Sequence, residues 1–238
     1  MAPTARAILF DLQGTCTDFF TSVVAAARAI DGGEHPDLDW GPFVSDWRKA
    51  YMRALGNDAT AKAGAAPAWR SVREVYRQAL EALLAERGLD GFDEDQLVGL
   101  VLAWEEQEPW PDVVPGLARL RARHTLGALS NADVPAVART AKAGALPFDV
   151  LFSAQMFQAF KPDPAVYLTS ARWLSLDPPD IMLVACHAYD VAAAHRLGFQ
   201  TAFVPRPDEL GPGAGAEPAP ESALLARDFL DLADQLGS

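Results

Sequence analysis

The stretch AILFDLQGTCTD (residues 7–18) decides the fold, because it places an acid directly after a buried strand. The apolar run 7–10 has the length and composition of a strand, and it ends at Asp11, three residues before Gly14. In an open α/β sheet, ligands bind beyond the carboxyl ends of the strands. Asp11 is therefore a candidate site residue, although an aspartate at this position also serves as an ordinary turn residue.

Four later segments have the character of buried strands. They are short, rich in Val, Leu, Ile or Phe, and cover residues 125–130, 148–154, 181–186 and 201–205. Helical patterns of about ten residues alternate with them, which is typical of right-handed crossovers in a parallel sheet. With residues 5–11 as the first strand, the sequence predicts a doubly wound, Rossmann-like α/β core of about five parallel strands.

Residues 17–108 depart from this alternation. Apolar residues recur there at intervals of three and four, which predicts helices over residues 21–30, 40–55, 68–88 and 93–108 and no strand between them. We therefore predict a core domain of residues 1–16 and 109–238 with a helical cap of residues 17–108. Residues 209–222 are rich in Gly, Pro and Ala without periodicity and predict a loop that leaves the core.

Composition narrows the classes of partner. Half of the 238 residues are hydrophobic, and no apolar run reaches the roughly 18–20 residues that span a membrane. The net charge of −12 without a basic stripe disfavours nucleic acid and anionic membranes as partners. Cys16 and Cys186 are too few for a disulfide scaffold or a metal knuckle, so we expect reduced thiols in a cytoplasmic protein, with their proximity left open.

Polar side chains follow three of the other predicted strands. Ser130 and Asn131 end the second strand, Lys161 comes before a proline-initiated helix, and His187 and Asp190 follow the strand at 181–186. Each has an ordinary explanation when taken alone, such as a loop cation for Lys161 or a helix N-cap for Asp190. Because ionisable groups cluster at functional sites, their joint position at the strand ends predicts one common crevice with Asp11.

Together these residues resemble the haloacid dehalogenase superfamily. The resemblance lies in the order and spacing of Asp11-x-x-Gly14-Thr15, Ser130-Asn131, Lys161-Pro162-Asp163-Pro164 and Asp190. It covers nearly the whole chain and implies a Rossmann-like core with a helical cap that closes over the site.

The branch of the superfamily is indicated by two acidic positions of the phosphatases that are not acidic here. Most superfamily members are magnesium-dependent phosphatases with a second aspartate two residues after the nucleophile and a Gly-Asp pair near the fourth strand end. Here these positions hold Gln13 and Ala185-Cys186. Magnesium favours carboxylate oxygens over an amide and a thiol. We therefore expect no bound metal, no other cofactor and no phosphatase activity.

The chain resembles most closely the L-2-haloacid dehalogenases of type II, which need no metal. Arg48 follows Trp47 as the anion-clamping arginine of that branch does, and Tyr167 matches its site tyrosine. His187, where many members have Asn, and the segment WPDVVPGL at residues 110–117 resemble a defluorinating subgroup. A helix-surface arginine and a core tyrosine are the ordinary explanations for Arg48 and Tyr167.

The resemblance implies a role for each residue. Asp11 would attack carbon 2 of a small 2-haloacid and form an ester, Lys161 would keep Asp11 ionised, and Asp190 would pair with Lys161. His187 or Asp190 would activate the water that hydrolyses the ester. The implied substrate-binding residues are Gln13, Thr15, Arg48, Ser130, Asn131 and Tyr167.

Gln13 departs from this branch too, since an aromatic residue is usual there, and it predicts a more polar pocket. The sequence therefore keeps two alternatives: displacement of another anionic leaving group, or ring formation or opening on a specialised metabolite, and a non-catalytic partner subunit. The expected partner is a small anionic molecule. A homodimer through the cap helices is left open.

Overall fold

The computed structural model describes residues 5–55, 69–215, 218, 220 and 223–238. Its strands, in chain order, are β1 (Ala7–Phe10), β2 (Thr17–Asp18), β3 (Glu108–Pro109), β4 (Thr125–Ser130), β5 (Val150–Ser153), β6 (Ile181–Ala185), β7 (Gln200–Phe203) and β8 (Leu224–Leu225). Six of them form one parallel sheet in the order β5-β4-β1-β6-β7-β8. The order reverses at β1, so the predicted doubly wound parallel sheet is confirmed.

The helices, in chain order, are α1 (Phe19–Asp31), α2 (Trp40–Ala54), α3 (Val72–Glu86), α4 (Glu94–Leu102), α5 (Val113–Leu120), α6 (Val134–Ala143), α7 (Ala154–Phe157), α8 (Pro164–Leu174), α9 (Ala188–Arg196) and α10 (Phe229–Gln235). Side chains of β1 alternate between the two faces of the sheet, as the strand period requires. Ile8 and Phe10 pack with α5, α6 and α10, whereas Ala7 and Leu9 pack with α8 and α9.

Two short elements, α7 and β8, were not predicted from the sequence. The predicted strand 148–154 ends at Ser153, because the Ser153 hydroxyl accepts a hydrogen bond from the Gln155 N–H and caps α7. Lys161 therefore follows α7 rather than the strand itself. The sheet also gains β8, which adds one strand to the five predicted. Strands and helices this short carry too little periodicity to be recognised in a sequence.

The described residues between Asp18 and Glu108 form helices α1 to α4 and a 3-10 turn at Ala103–Glu105. At the base of this helical insert, β2 and β3 pair in antiparallel fashion, a ribbon that we did not predict. Ala68, the first residue of the predicted helix 68–88, lies outside the described residues, as does part of the predicted loop 209–222. The division into a core and a cap stays a prediction.

The insert has an apolar core of its own. Trp47, Tyr76 and Trp104 pack at its centre, with ring centroids 4.3 to 6.0 Å apart. None of the helices that the structure describes is both long enough and apolar enough to pass through a bilayer. The carboxyl ends of β1 and β4 face this insert, since residues that follow them contact α2 and α3.

Candidate active site

Asp11 lies at the carboxyl end of β1 with both carboxylate oxygens occupied by donors. Lys161 Nζ lies 2.9 Å from Oδ1, while Thr15 Oγ1 and His187 Nδ1 lie 2.7 and 3.0 Å from Oδ2. Burial alone would raise the pKa of Asp11, but Lys161 and His187 outweigh it and lower the pKa below its usual range. Asp11 is therefore an ionised carboxylate in a buried position.

Lys161 joins Asp11 to a second acid. It is 1% exposed, and its ammonium also lies 2.5 Å from Asp190 Oδ2. Asn131 fixes the backbone of Lys161, because its side-chain oxygen accepts from the Lys161 N–H at 2.7 Å and its amide donates to the Lys161 carbonyl at 3.0 Å. Burial opposes the charge of Lys161, yet the two carboxylates raise its pKa, so the ammonium keeps its proton.

Asp190 and Tyr167 lie beneath this ammonium rather than at the cavity. Asp190 sits in the first turn of α9 and is fully buried, and the Tyr167 hydroxyl donates to its Oδ1 at 2.5 Å. Burial raises the pKa of Tyr167, which therefore stays a neutral donor. The structure does not bring Tyr167, a predicted substrate-binding residue, to the cavity next to Asp11.

His187 bridges two carboxylates. Its Nδ1 lies 3.0 Å from Asp11 Oδ2 and its Nε2 lies 2.7 Å from Glu209 Oε1. Burial lowers the pKa of His187, but its contacts with Cys186, Glu209 and Asp11 together raise it well above the ordinary value. Since both ring nitrogens face acceptors, the arrangement is that of an imidazolium with two N–H donors.

Glu209 was missed in the sequence, because a single glutamate at the start of a Gly- and Pro-rich segment gives no signal of chemistry. It is buried, so the predicted loop 209–222 begins inside the site rather than away from the core. Gly14 explains how the carboxylate fits. A Cβ at position 14 would lie 2.4 Å from Glu209 Oε1, so only a glycine leaves room for it.

Arg48 comes from α2 of the insert and is a buried cation with neutral partners. Its Nη1 donates to Gln13 Oε1 at 2.9 Å and to the Tyr76 hydroxyl at 2.6 Å. Its guanidinium carbon lies 5.0 Å from the ring of Phe19 and 5.1 Å from that of Tyr51. In the part of the chain that the structure describes, no carboxylate forms an ion pair with Arg48. A buried guanidinium that forms no ion pair with a carboxylate among the described residues is a candidate for binding an anion.

Gln13 positions this arginine. Its amide donates to the Trp104 carbonyl at 3.2 Å, which turns its side-chain oxygen toward Arg48. Tyr76 completes the contact and is stacked on Trp104 and Tyr51, with centroids 4.3 and 4.0 Å away. Sequence reasoning missed Tyr51 and Tyr76 because aromatic residues at helical spacing are typical of helix packing.

Thr15 orients Asp11 and does not reach the cavity. Its hydroxyl donates to Asp11 and accepts from the Cys186 N–H at 3.0 Å, and it is fully buried. Burial raises the pKa of Cys186 to about 11, so this thiol is neutral. Cys16 and Cys186 are both free thiols.

One narrow cavity joins the core to the insert. The predicted residues that line it are Asp11, Gln13, Arg48, Ser130, Asn131 and His187. Tyr51, Met52 and Tyr189 complete its wall, and the space they enclose has room for about one water molecule. The cavity thus places the Asp11 carboxylate and the Arg48 guanidinium against the same small space.

The donor set does not fit magnesium. Within the described ranges, Asp11, Cys186 and His187 bring ligand-type atoms within 4.8 Å of one another. This is a mixed oxygen, sulfur and nitrogen set, whereas magnesium demands oxygen ligands. In addition, the ammonium of Lys161 and the imidazole of His187 already engage the two oxygens of Asp11. We assign no metal to these residues.

Comparisons with known proteins place this geometry in context. Residues 5–198 match the family model described as haloacid dehalogenase-like hydrolase. The chain is 30% identical over 205 residues to (S)-2-haloacid dehalogenase 1 of Pseudomonas sp. (strain CBS-3), covering 84% of this chain and 85% of the relative. It is 26% identical over 214 residues to (S)-2-haloacid dehalogenase 4A of Burkholderia cepacia, with 87% and 85% covered.

Solved structures agree with these relatives. A crystal structure of an L-2-haloacid dehalogenase has a TM-score of 0.88 and 39% identity, covering 98% of this chain and 99% of the other. A crystal structure of a defluorinating L-2-haloacid dehalogenase has a TM-score of 0.90 and 33% identity, covering 100% and 98%. The resemblance drawn from the motifs is thus confirmed by whole-chain similarity.

Proposed function

This chain belongs to the haloacid dehalogenase-like hydrolase family, and we propose that it hydrolyses the carbon–halogen bond of a small 2-haloacid. The observation that carries the proposal is the pairing of an ionised Asp11 with a buried Arg48 whose hydrogen-bond partners among the described residues are neutral, both lining one cavity. An anionic substrate supplies the missing counter-ion and lies against the carboxylate. The names of the relatives as dehalogenases support this reaction.

In the first step, an oxygen of Asp11 attacks carbon 2 and the halide leaves with the electron pair of the broken bond. Lys161 and His187 keep Asp11 ionised until it reacts, and Thr15 holds the carboxylate in place. Arg48 binds the substrate carboxylate or the departing halide, since it stays charged at any working pH. The product of this step is an ester of Asp11.

In the second step, water hydrolyses the ester and releases a 2-hydroxyacid. The base must reach the cavity, and His187 lines it whereas Asp190 does not. The two oxygens of Asp190 accept hydrogen bonds from Lys161 and Tyr167. This favours His187 over Asp190 as the base that activates water. Both steps use positive charges that the chain itself provides, and we expect them to need no added metal.

The size of the cavity favours the smallest substrates. The space beside Asp11 has room for about one water molecule, so the cavity must widen for a two-carbon acid to enter. We expect haloacetates to be better substrates than longer 2-haloacids. Fluoroacetate is among them, because a structural neighbour is named as defluorinating. The alternatives considered from the sequence gain no support from the relatives described above, each of which is named as a dehalogenase.

The test is halide release from chloroacetate, bromoacetate, fluoroacetate and L-2-chloropropionate in the presence of a chelator. We expect release without metal, and its loss in Asp11→Asn by a factor of about 10³ or more, as for removal of a nucleophile. Asp18→Asn is the matched control, because Asp18 caps α1 and lies outside the cavity. Absence of halide from all four acids, or an unchanged rate in Asp11→Asn, contradicts the proposal.

A further inference from the structure

We propose that Glu209 is a positioning residue that acts through His187 in the second half-reaction, hydrolysis of the Asp11 ester. This inference rests on the proposed function and assigns a role to a residue outside the motifs. The geometry points to it because Glu209, His187 and Asp11 form one continuous buried chain of hydrogen bonds.

The two hydrogen bonds of the His187 imidazole determine which ring nitrogen gains and loses a proton. Glu209 Oε1 lies 2.7 Å from His187 Nε2, and a carboxylate there keeps a proton on Nε2 in either charge state of the ring. The other nitrogen, Nδ1, faces Asp11 Oδ2 at 3.0 Å. The nitrogen that gains and loses a proton is therefore the one beside the reacting carboxyl group, the same logic by which a carboxylate orients the histidine of a catalytic triad.

The segment that carries Glu209 contacts both the core and the insert, since the Ser45 hydroxyl of α2 donates to the carbonyl of the next residue, Leu210, at 2.9 Å. The Glu209 backbone N–H donates to the Arg206 carbonyl at 3.1 Å, and the Arg206 guanidinium binds both carboxylate oxygens of Asp112 at 2.8 Å and the Thr15 carbonyl at 3.0 Å. The Cys186 thiol lies 3.6 Å from Glu209 Oε2.

The charges of Asp11 and His187 change during the reaction, and these changes define the role of Glu209. In the resting site, the imidazolium of His187 lies between two carboxylates. Ester formation makes the Asp11 side chain neutral and expels the halide, so Nδ1 loses its anionic partner and its proton leaves to solvent, which balances the halide. The freed Nδ1 lone pair then takes a proton from water as the water oxygen bonds to Asp11 Cγ.

Collapse of the resulting tetrahedral species restores the site. The bond between Asp11 Cγ and the substrate oxygen breaks, and that oxygen takes the proton from Nδ1 to become the product hydroxyl group. Asp11 is released as the acid and returns its proton to His187, which regenerates the carboxylate and the imidazolium. Over the cycle, one water is consumed and one proton accompanies one halide. Glu209 exchanges no proton and holds Nε2–H throughout.

Other groups near the imidazole do not take this role. The groups that face His187 are Asp11, Glu209, Cys186 and Tyr189, the last with its ring centroid 5.6 Å away. Burial raises the pKa of Tyr189 to about 12 and that of Cys186 to about 11, so both stay protonated near neutral pH. Glu209 is then the ionisable partner left to orient the ring from the side opposite Asp11.

The experiment follows one turnover of chloroacetate by Glu209→Gln, an isosteric change that removes the carboxylate charge. We expect a rapid release of about one chloride per enzyme, followed by a steady rate reduced roughly tenfold or more, as for loss of an assisted general base. Mass spectrometry of the quenched protein should show a carboxymethyl group on the peptide that contains Asp11. Asp208→Asn is the matched control, because Asp208 is the exposed neighbour that accepts from the Gly213 N–H.

Two further readouts separate positioning from a structural effect. The rate of ester hydrolysis should rise with pH as Nδ1 loses its proton, and its midpoint should shift to lower pH in Glu209→Gln, because loss of a carboxylate destabilises the imidazolium. In a His187→Asn background, Glu209→Gln should cost little more, because the two residues act as one unit.

Three outcomes overturn the inference. They are an unchanged steady rate in Glu209→Gln, loss of the first chloride together with the steady rate, and additive losses in the double variant. Absence of chloride release from the unsubstituted protein is a different result, since it contradicts the proposed function itself.

Discussion

At the scale of single residues, the amide of Gln13 links the core to the insert. Its oxygen accepts from Arg48 of α2 and its nitrogen donates to the carbonyl of Trp104. A phenylalanine at this position would have no hydrogen-bond acceptor for the guanidinium. The polar side chain of Gln13 thus connects Arg48 of the insert to the core through one hydrogen bond.

This contact gives the first prediction. Gln13→Leu should raise the KM for chloroacetate about 10- to 100-fold with a smaller change in kcat, because a hydrogen bond to a charged group is worth about 1.5–3 kcal/mol. Gln107→Leu is the matched control, since the Gln107 amide also donates to the Trp104 carbonyl, at 2.8 Å, but does not contact Arg48. Steady-state kinetics measure KM and kcat for both variants. An equal rise in KM in the two variants would contradict a role for Gln13 in holding Arg48.

Residues that carry charge at strand ends were predictable, and those that reach the site from elsewhere were not. Asp11, Lys161 and His187 stand beside apolar strands or a helix start, where position in the sequence predicts position in the sheet. Glu209 and Tyr76 enter from a loop and from a helix of the insert, so only tertiary packing brings them to the site. The spacing of residues along the chain does not predict these contacts.

At the scale of elements, one aspartate of the core caps a helix of the insert. Asp133 is the N-cap residue of α6, yet its carboxylate accepts no hydrogen bond from that helix. It accepts instead from the Ser71 hydroxyl at 2.8 Å and from the N–H groups of Val72 and Arg73 at 3.1 and 3.0 Å, at the start of α3. Its negative charge also complements the dipole of α3, so Asp133 joins two elements distant in sequence.

The second prediction concerns this link. Asp133→Ala should lower the free energy of unfolding by about 2 kcal/mol, the upper range for loss of a helix cap, and should raise KM, because α3 carries Tyr76, a partner of Arg48. Hydrogen exchange of the first N–H groups of α3 should accelerate as well.

Asp93→Ala is the control for this prediction. Asp93 caps α4 wholly within the insert, through a reciprocal pair of hydrogen bonds with Gln96. Its removal should cost about 1 kcal/mol of stability and leave KM unchanged. Chemical denaturation measures the free energy of unfolding, and steady-state kinetics measure KM. If KM is the same for both variants, the link between Asp133 and the site is wrong.

Some long patterns match the structure closely, the predicted helix 93–108 ends early at Leu102, and β2, β3, β8 and α7 were not predicted. The predicted strand 125–130 and the predicted helix 40–55 match β4 and α2 to within one residue at each end. Strand β8, the ribbon of β2 and β3, and α7 have two to four residues each. Elements of that length owe their existence to their neighbours, because too few side chains are present to set a period.

At the scale of the whole molecule, the site and the surface differ in charge. The chain has a net charge of −12, whereas the site holds three carboxylates, Asp11, Asp190 and Glu209, against three cations, Lys161, Arg48 and His187. The carboxylates pair with Lys161 and His187, and none of them forms an ion pair with Arg48. Under the proposed function, Arg48 is therefore the cation that an acidic substrate would meet, while salt screens the distant charges of the surface.

The third prediction follows from this distribution of charge. Asp11→Asn binds chloroacetate without turning it over, so the ligand should raise the unfolding temperature, by about 5 °C at 100 times the dissociation constant. Acetamide, which is neutral, should give no shift. Adding Arg48→Gln should abolish the effect of chloroacetate, because the only cavity-lining cation that lacks a carboxylate partner among the described residues is then gone.

Arg87→Gln in the same Asp11→Asn background is the matched control. Its guanidinium carbon also lies against an aromatic ring, 5.1 Å from that of Phe43, but the residue is absent from the cavity wall. Thermal unfolding followed by circular dichroism measures all three proteins with and without ligand. An equal shift with and without Arg48 would place the anion elsewhere and remove the basis for pairing Asp11 with Arg48. A shift that depends on Arg48 alone means that a single cation from the insert draws the substrate to the carboxylate of the core.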